Sequence, residues 1–424
     1  MADGAWIMDL VAALGYLVQL LLAGGMLGAV IFYVVTWYGS RDFFRLARRG
    51  SERVDTTAGL PGVTVLKPLK GLDVDLYENL ATFCRQDYPR FQIIFGVADA
   101  RDPAVTVVRR LQRAHPGVRI DLVIDSWVYG TNYKVSNLHN MYQVAVHEVI
   151  VIADSDIRVC PDYLRRVVAP LADPQVGVVT CLYRAVSTGG LPTLLESLFI
   201  NTDFSPMVLV ARVVEQPSYA FGATMAMRRA TLEEVGGFLP LANYLADDYH
   251  LGHRVAACGY QLVLSDVVVD TVLAVGSWRR LVDHQLRWAR TYRNCRPRGY
   301  FASIFTHGTM WATANLLYQH FSPSACVIAA SMYALRISIV WIVAHQYLVA
   351  PLRRRDALLV PFKDLFVSFV WLICFLGDTV QWSGYRFRVR ADGRMVRVPS
   401  GAAAPEAVPA YAATKERDRR AASI

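Results

Sequence analysis

Residues 148–156 of this 424-residue chain read EVIVIADSD, an unbroken apolar run that ends in two aspartates. A short run of β-branched residues with polar residues at its end is typical of a buried β-strand. Asp154 and Asp156 follow that strand, and carboxylates two residues apart can present oxygens to one Mg²⁺ or Mn²⁺ ion. The alternative is an ordinary polar turn, in which Asp and Ser are common.

Similar apolar runs occur on both sides of this strand and alternate with helical patterns. The other runs start at Val63 (VTVLKPL), Phe91 (FQIIFGVAD), Arg119 (RIDLVID) and Val176 (VGVVTCLY), and the helical patterns cover residues 73–85, 103–115 and 134–147. This alternation predicts an α/β domain over residues 60–295, with a largely parallel sheet covered by helices on both faces. Ligands of such sheets bind beyond the carboxyl ends of the strands, so polar residues there are the candidates for function.

Three polar residues near predicted strand ends or helix starts are candidates for binding a nucleotide. Asp99 ends the second run, where a carboxylate can accept hydrogen bonds from a base or a ribose, or can simply cap the following loop. Lys134 opens a helix in TNYKVSNL, where an ammonium group and helix N–H groups can act on the same diphosphate. Lys67 lies at a strand end in LKPLKG, and the chain has few lysines in all. We therefore expect Lys67 and Lys134 near a phosphate.

The stretch ADDYHLGHRVAACGY places Asp247 and Asp248 directly before a helical pattern. Either residue can cap that helix, since Asp in the first turn stabilises the dipole by roughly 0.3–1 kcal/mol. The other is then a candidate general base, because a hydroxyl nucleophile needs a positioned group to take its proton.

The stretch DHQLRWARTYR places His284, Arg287 and Trp288 on one face of an amphipathic helix. Arg287 can pair with a departing diphosphate, and Trp288 can stack against a sugar or close the site. The alternative is a basic helix that rests on lipid headgroups. Different faces of one helix can serve both purposes.

Residues 10–37 carry no charged side chain and are long enough to cross a bilayer, so we predict a transmembrane anchor. Arg41 and Arg45 follow it, which by the positive-inside rule puts the rest of the chain in the cytoplasm. Residues 300–383 form a second apolar region with three candidate spans, at 301–320, 326–350 and 360–382. Because the basic tail at 384–424 is also expected inside, one of the three should be interfacial or re-entrant. The end of that tail, from Ala402, is predicted to be disordered.

The composition is apolar and basic, with 54% hydrophobic residues and a net charge of +9. Its cations cluster beside apolar segments rather than in a zinc-finger or basic-helix pattern, which argues for a membrane surface or a phosphate ligand and against nucleic acid. The seven cysteines are scattered and lack the paired spacing of a zinc site or a disulfide scaffold.

Seven motifs between Val63 and Arg293 together resemble one enzyme family. They are LKPLKG, VADARDPA, YKVSNL, ADSDIRV, GATMAMRR with GGF, ADDY and H-x-x-R-W. This order is similar to that of the ceramide glucosyltransferase family of inverting enzymes with the GT-A fold. The resemblance implies a UDP-sugar donor, a divalent metal and a membrane lipid acceptor.

The resemblance also implies a role for each matched residue. Asp99 would contact the uridine, Asp154 and Asp156 would hold the nucleotide and metal, and Asp248 would be the base. Arg287 and Trp288 match the R-W of the (Q/R)-x-x-R-W motif.

Two residues depart from the family's pattern. His284 stands where the motif has Gln or Arg, and Thr180 stands where animal ceramide enzymes have a histidine. Both features are more similar to bacterial hopanoid-associated glycosyltransferases, which transfer N-acetylglucosamine to bacteriohopanetetrol. That implies a multi-pass protein of the bacterial inner membrane with a cytoplasmic catalytic domain. Both glucose and N-acetylglucosamine remain compatible as the donor sugar, and both ceramide and a hopanoid polyol remain compatible as the acceptor.

Two other functions compete with lipid glycosylation. A processive polysaccharide synthase shares the aspartates and the R-W motif, but would need more spans to form a channel. A non-catalytic lipid-binding protein with a degenerate sugar-nucleotide fold would not need the full set of aspartates. We also expect the amphipathic segment at residues 191–214 to line the entry of a lipid from the bilayer.

Overall fold

The computed structural model describes residues 5–51 and 59–399, so the predicted disordered stretch from Ala402 lies outside the described residues. The chain divides into two compact units. The helical unit comprises Met1–Leu46, Arg184–Gln216 and Val275–Gly377, and the sheet unit comprises Ala47–Tyr183, Pro217–Ala274 and Asp378–Ile424. These boundaries differ from the predicted 60–295 domain, because residues 184–216 and 275–295 belong to the helical unit.

The secondary structure alternates in the first half of the chain and is mainly helical afterwards. The helices are α1 (Ala5–Ser51), α2 (Leu76–Cys84), α3 (Ala104–Ala114), α4 (Tyr133–Tyr142), α5 (Tyr163–Val168), α6 (Leu191–Phe199), α7 (Ser205–Val214), α8 (Arg229–Glu234), α9 (Asp247–Ala257), α10 (Trp278–Cys295), α11 (Pro297–Ala302), α12 (Gly308–Tyr318), α13 (Pro323–Trp341), α14 (Arg354–Ala357) and α15 (Val360–Cys374). The strands are β1 (Val63–Pro68), β2 (Phe91–Val97), β3 (Arg119–Ile124), β4 (Val149–Ile152), β5 (Ile157–Arg158), β6 (Val176–Ser187), β7 (Met225–Arg228), β8 (Gln261–Leu273), β9 (Thr379–Trp382), β10 (Tyr385–Val389) and β11 (Met395–Arg397). A π-helical turn, Ile200–Phe204, joins α6 to α7.

The sheet unit is built on an eight-stranded sheet with the order β3-β2-β1-β4-β7-β6-β8-β5. The four strands β3, β2, β1 and β4 are parallel, whereas β7 is antiparallel to both of its neighbours and β5 is antiparallel to β8. The predicted Rossmann-like α/β fold with membrane-length helices is confirmed, but the sheet is mixed rather than largely parallel. The chain leaves β6 and returns at the same edge of the sheet, so β7 runs in the opposite direction.

The central strands are buried on both faces. Val149 and Val151 of β4 pack against one hydrophobic core, which includes side chains of α2, α3 and α5. Ile150 and Ile152 pack against a second core, which includes side chains of α4 and α9. A strand covered on both faces has no polar face, which is why its sequence is a continuous apolar run.

A second, three-stranded antiparallel sheet ends the described chain, in the order β11-β10-β9. Phe387 and Val389 of β10 are buried together with Leu245, while Arg386 and Arg388 point to the exposed face. The alternation is that of a strand with one covered face. Residues 385–397, predicted as the start of a basic tail, are therefore part of the sheet unit.

The helical unit has three segments that are long and apolar enough to cross a membrane by length and composition. They are Met8–Leu46, Leu191–Val214 and Pro323–Tyr347. The first and third contain most of the predicted spans at 10–37 and 326–350. The apolar stretches at 301–320 and 360–382 contain the shorter helices α12 and α15, of 11 and 15 residues, whereas a span needs about 20 residues.

Four charged side chains meet in the interior of the helical unit. Arg336 of α13 donates to Asp364 of α15 at 3.0 and 3.1 Å and also pairs with Asp203. Lys363 pairs with Asp203 and, at 2.6 Å, with Asp364. Charges buried among apolar helices persist when they neutralise one another in this way. The cluster explains how the apolar helices α13 and α15 accommodate charged residues.

Candidate active site

The predicted Asp-Ser-Asp turn directly follows β4, at the carboxyl edge of the parallel strands. Asp156 accepts a hydrogen bond of 2.6 Å from the Thr271 hydroxyl, and the Ser155 hydroxyl donates to Asp73. Burial, together with the neighbouring negative charge of Asp154, raises the pKa of Asp156 to about 6. Asp156 is therefore a buried carboxylate that lies beside a second carboxylate and accepts a hydrogen bond from a hydroxyl group.

Lys134 is the cation closest to this turn. It lies in the first turn of α4, which Asn132 caps by accepting a hydrogen bond from the Val135 N–H. Its Nζ is 2.6 Å from Asp154 Oδ1 and 3.5 Å from Asp247 Oδ2. Although burial opposes the charged form, these carboxylates raise the pKa of Lys134 above its usual value. Lys134 is therefore a permanent cation between two acidic residues.

Asp248 lies beside the same group, in the first turn of α9. One carboxylate oxygen accepts a hydrogen bond from the Gly222 N–H and the other from the Tyr249 N–H, both at 2.8 Å. Burial, reinforced by the charge of Asp247, raises the pKa of Asp248 to about 6. Asp247 is instead the more buried of the two and is held by Lys134 and Asn132. The geometry thus separates a supporting aspartate from one suited to exchange a proton near neutral pH.

Gly222, the first residue of the GATMAMRR motif, marks the centre of this arrangement, although the sequence analysis assigned it no role of its own. A Cβ built on Gly222 would lie 2.9 Å from Asp154 Oδ2, 3.1 Å from Lys134 Nζ and 3.4 Å from Asp248 Oδ2. Three of the predicted site residues therefore surround one glycine. The hydroxyl of Thr180 supports the same loop, since it accepts from the Phe221 N–H at 3.0 Å.

Lys67 lies next to the turn, but not where a ligand-binding lysine was expected. It is fully buried in β1, its ammonium donates to the Asp154 carbonyl at 2.7 Å, and it lies 3.7 Å from the centre of the Phe83 ring. Burial lowers the pKa of Lys67 to about 7. Its contacts are those of a residue that supports the turn from inside the sheet.

Asp99 lies at the same sheet edge, after β2, but its partner is a different residue. Its half-exposed carboxylate pairs with the Arg101 guanidinium at 3.0 Å and accepts from the Arg101 N–H at 2.9 Å. These hydrogen bonds lower the pKa of Asp99. The structure brings Asp154, Asp156, Lys134 and Asp248 together, and places Asp99 in its own loop.

The small C-terminal sheet supports the loops that carry Lys134 and Asp247. The Met395 N–H donates to the Asn243 carbonyl at 2.8 Å, and the Thr131 hydroxyl donates to the Met395 carbonyl at 3.2 Å. The Tyr133 and Tyr385 rings are 5.4 Å apart. The alternating sequence YRFRV is a strand signal that would have identified this element.

In the helical unit, α10 carries His284, Arg287 and Trp288, all partly buried. The His284 and Trp288 rings are 5.3 Å apart, which confirms that they share a face. Trp288 lies against Phe199 and Phe204 at 5.7 and 5.6 Å. Its ring therefore packs onto the segment that runs from α6 to α7. The carbonyl of Arg287 accepts from the Thr291 hydroxyl.

Comparisons with known proteins place this chain among glycosyltransferases. Ceramide glucosyltransferase 1 of Caenorhabditis elegans is 25% identical over 92% of this chain and 84% of its own length. A ceramide glucosyltransferase of Komagataella phaffii is 35% identical over 34% of this chain and 30% of its own length.

Among solved structures, a mannosyltransferase from Pyrobaculum calidifontis, in complex with GDP-mannose and Mn²⁺, is 21% identical with a TM-score of 0.47. The match covers 83% of this chain and 99% of that one. Residues 20–395 match the sequence profile described as Glycosyl transferase family 21. The chain is therefore a glycosyltransferase and belongs to glycosyl transferase family 21.

Proposed function

We propose that this enzyme transfers a sugar from a UDP-sugar to a hydroxyl group of a membrane lipid, with inversion at the anomeric carbon. The observation that carries the proposal is the group formed by Asp154, Lys134 and Asp248 around Gly222. It combines a permanent cation, a strand-end carboxylate and a carboxylate whose pKa is raised to about 6. The membrane-length helices of the chain support a lipid as the acceptor.

Asp154 and Asp156 are the proposed ligands of a divalent metal. Burial, together with the neighbouring charge of Asp154, raises the pKa of Asp156 to about 6, and a bound cation would favour the ionised form of this carboxylate. Within the described residues no group of three His, Cys, Asp or Glu side chains is arranged to hold a metal. Donor phosphates are the proposed further ligands beside the two carboxylates, because Mg²⁺ is usually bound by one or two carboxylates together with substrate phosphates. When bound, such an ion neutralises charge on the leaving diphosphate.

The chemical step is a single displacement in which the side chains move one proton and hold charge. Asp248 takes the proton of the acceptor hydroxyl, whose oxygen forms a bond to the anomeric carbon as the bond from that carbon to the UDP oxygen breaks. Lys134 acts on the negative charge that develops on the diphosphate. Lys67 keeps Asp154 in place. Asp99 is the proposed contact of the uridine, and Arg287 the proposed second cation for the diphosphate.

The first candidate reaction is transfer of N-acetylglucosamine to bacteriohopanetetrol. It is supported by His284 and Thr180, which depart from the ceramide enzymes as the hopanoid-associated proteins do. The second candidate is transfer of glucose to ceramide, which is favoured by the relatives named ceramide glucosyltransferase. For both, we place the sheet unit on the cytoplasmic side of a membrane, which for the first candidate is the bacterial inner membrane.

The experiment is product analysis with the purified full-length protein. Vesicles containing either bacteriohopanetetrol or ceramide are incubated with UDP-N-acetylglucosamine or UDP-glucose and Mg²⁺ or Mn²⁺, and the lipids are analysed by mass spectrometry. We expect one added sugar per lipid, formed roughly 10²-fold or more slowly by Asp248→Asn. A ladder of sugar masses would indicate a processive polysaccharide synthase instead. Absence of UDP release under every condition would indicate a non-catalytic protein.

A further inference from the structure

Residues 219–224 form a loop of the sheet unit that runs past Asp248. The loop contacts that carboxylate through its backbone, since the Gly222 N–H donates to Oδ2 at 2.8 Å. The peptide group is planar and has no rotamers of its own, so the direction of its N–H is fixed by the backbone on either side. The direction of this donor therefore depends on what holds the 219–224 loop in place.

Thr180, in β6, is the first point at which the loop is held. Its side chain is buried, and its hydroxyl accepts from the Phe221 N–H at 3.0 Å and donates to the Thr224 carbonyl at 2.8 Å. A hydroxyl group can accept and donate at the same time, so one side chain holds both ends of this short segment. The Gly222 N–H lies within the segment that these two hydrogen bonds fix.

Gly252, in α9, is the second point at which the loop is held. A Cβ built on Gly252 would lie 2.5 Å from the Ala220 nitrogen and 2.8 Å from the Tyr219 Cα. The loop backbone therefore packs directly on the helix whose first turn carries Asp248, and only a glycine leaves room for it. The stacked rings of Tyr219 and Tyr249, with centres 5.8 Å apart, join the same two elements through their side chains.

We propose that Thr180 is a positioning residue for the transfer reaction, which holds the 219–224 loop so that the Gly222 N–H keeps the Asp248 carboxylate oriented to take the acceptor proton. The inference rests on the proposed function, in which Asp248 is the base. The Tyr249 N–H holds the other oxygen, Oδ1, at 2.8 Å. The terminal torsion of an aspartate is soft, so loss of the Gly222 contact would free the carboxylate plane to rotate. Each oxygen keeps a further lone pair, which can accept the proton.

The test compares Thr180→Val with Thr180→Ser in the full-length protein, with initial rates of UDP release expressed per folded molecule. Valine keeps the shape of threonine but leaves the Phe221 N–H and the Thr224 carbonyl without that hydroxyl, so we expect kcat to fall by roughly tenfold. The donor KM should stay within about threefold of wild type, since Lys134 and Asp154 hold each other without Thr180. Serine keeps the hydroxyl, so its kcat should stay within about threefold of wild type.

A double-mutant cycle with Asp248→Asn tests whether the effect passes through the base. No base is left to position in the Asp248→Asn background, so Thr180→Val should lower the remaining rate by less than about threefold. Gly252→Ala reaches the same loop by a different route, because its methyl group would meet the loop backbone at 2.5 Å. It should lower kcat in the wild-type background and leave the Asp248→Asn rate within the same limit.

Thr64→Val is the matched control. Thr64 is also buried in a strand of the sheet unit, and its hydroxyl donates to the Gln92 side chain at 2.9 Å and accepts from the His147 N–H at 3.3 Å. It lies at the start of β1, whereas Asp154 follows the carboxyl end of the neighbouring parallel strand. Loss of its hydroxyl should therefore lower the unfolding midpoint but leave kcat per folded molecule unchanged.

The inference is overturned if Thr180→Val turns over at the wild-type rate, or if Thr180→Ser is as slow as Thr180→Val. It is also overturned if Thr180→Val slows wild type and Asp248→Asn by the same factor, or if Thr64→Val lowers kcat as much. Should Thr180→Val give no folded protein, the factors measured for Gly252→Ala in the two backgrounds decide in the same way. A wild-type protein that transfers no sugar refutes the proposed function itself, which is a separate result.

Discussion

The position of Gly222 leads to a specific prediction for Gly222→Ala. The new methyl group would lie 2.9 Å from Asp154 Oδ2 and 3.1 Å from Lys134 Nζ, inside the normal contact distance of about 3.5 Å. Both atoms are the ends of flexible side chains. The backbone of Gly222 does not have the positive φ that disfavours other residues, so it accepts alanine. The two side-chain ends must instead move by about half an ångström.

The expected effect of Gly222→Ala is on rate rather than on stability. Since a misplacement of 1 Å costs on the order of 10²-fold in rate, half that shift predicts a loss of roughly tenfold in kcat. The free energy of unfolding should change by less than about 1 kcal/mol, because no backbone atom has to move. Initial rates of UDP release and the thermal unfolding midpoint of the purified protein measure the two quantities.

A matched control for this variant is Gly117→Ala, in the same unit. No atom lies within 4 Å of the Cβ built there, so rate and stability should both stay at wild-type values. A wild-type rate for Gly222→Ala would show that the surroundings of Gly222 are not the reaction centre. A loss of rate that is explained by a lower fraction of folded protein would show that Gly222 only serves packing.

Four further predictions concern Asp248, Phe387 and Cys258. Since Asp248 must be ionised to act as a base, kcat/KM should rise tenfold per pH unit below about pH 6 and level off above it. Asp248→Asn should lower the rate by roughly 10²-fold or more and should abolish this dependence of kcat/KM on pH. Because the folded-state pKa is raised, ionisation of Asp248 costs folding stability as pH rises from the ordinary pKa of an aspartate to about 6. The unfolding midpoint of wild type should therefore fall over this range relative to that of Asp248→Asn. Phe387→Ala should lower both the unfolding midpoint and kcat, because it loosens the small sheet that supports the loops at Thr131 and Asn243. Val396→Ala, on the exposed side of the same sheet, should lower neither quantity. Melting curves and initial rates measure the two effects. In a variant whose only remaining cysteine is the exposed Cys258, the thiol should react with a membrane-impermeant maleimide in inverted vesicles and not in right-side-out vesicles. The reverse pattern would contradict the proposed cytoplasmic orientation.

The parallel half of the sheet and the turn after β4 could be predicted because their signals are local. A strand covered on both faces is a short apolar run, and Asp154 marks where it ends. By contrast, β7 is four residues long and depends on partners far away in the chain, so no periodicity identifies it. The sheet is mixed because β7 is antiparallel to β4 and β6. That direction depends on the sheet edge at which the chain re-enters after residues 188–224.

The candidate site was predictable in its residue types but not in its contacts. Lys67 and Lys134 look alike in the sequence, yet one is enclosed in the sheet beneath the Asp154 carbonyl and the other lies between Asp154 and Asp247. Glu196 gave only a weak signal, a single acidic residue in the apolar run LPTLLESLF. Its partners His284 and Gln285 lie in α10, about ninety residues further along, which local patterns do not reveal.

The four-charge cluster of the helical unit has a consequence for biosynthesis. Asp203 is made first, and its partners Arg336 and Lys363 are made at least 133 residues later, with Asp364 directly after Lys363. An emerging chain therefore holds Asp203 without a counter-charge until α13 has been synthesised, and Arg336 without Asp364 until α15 has been synthesised, in helices that are otherwise fit for lipid. The order of translation makes assembly of these helices a late event, and a chain truncated before residue 363 should be retained by membrane chaperones or degraded rather than mature into a partly active enzyme.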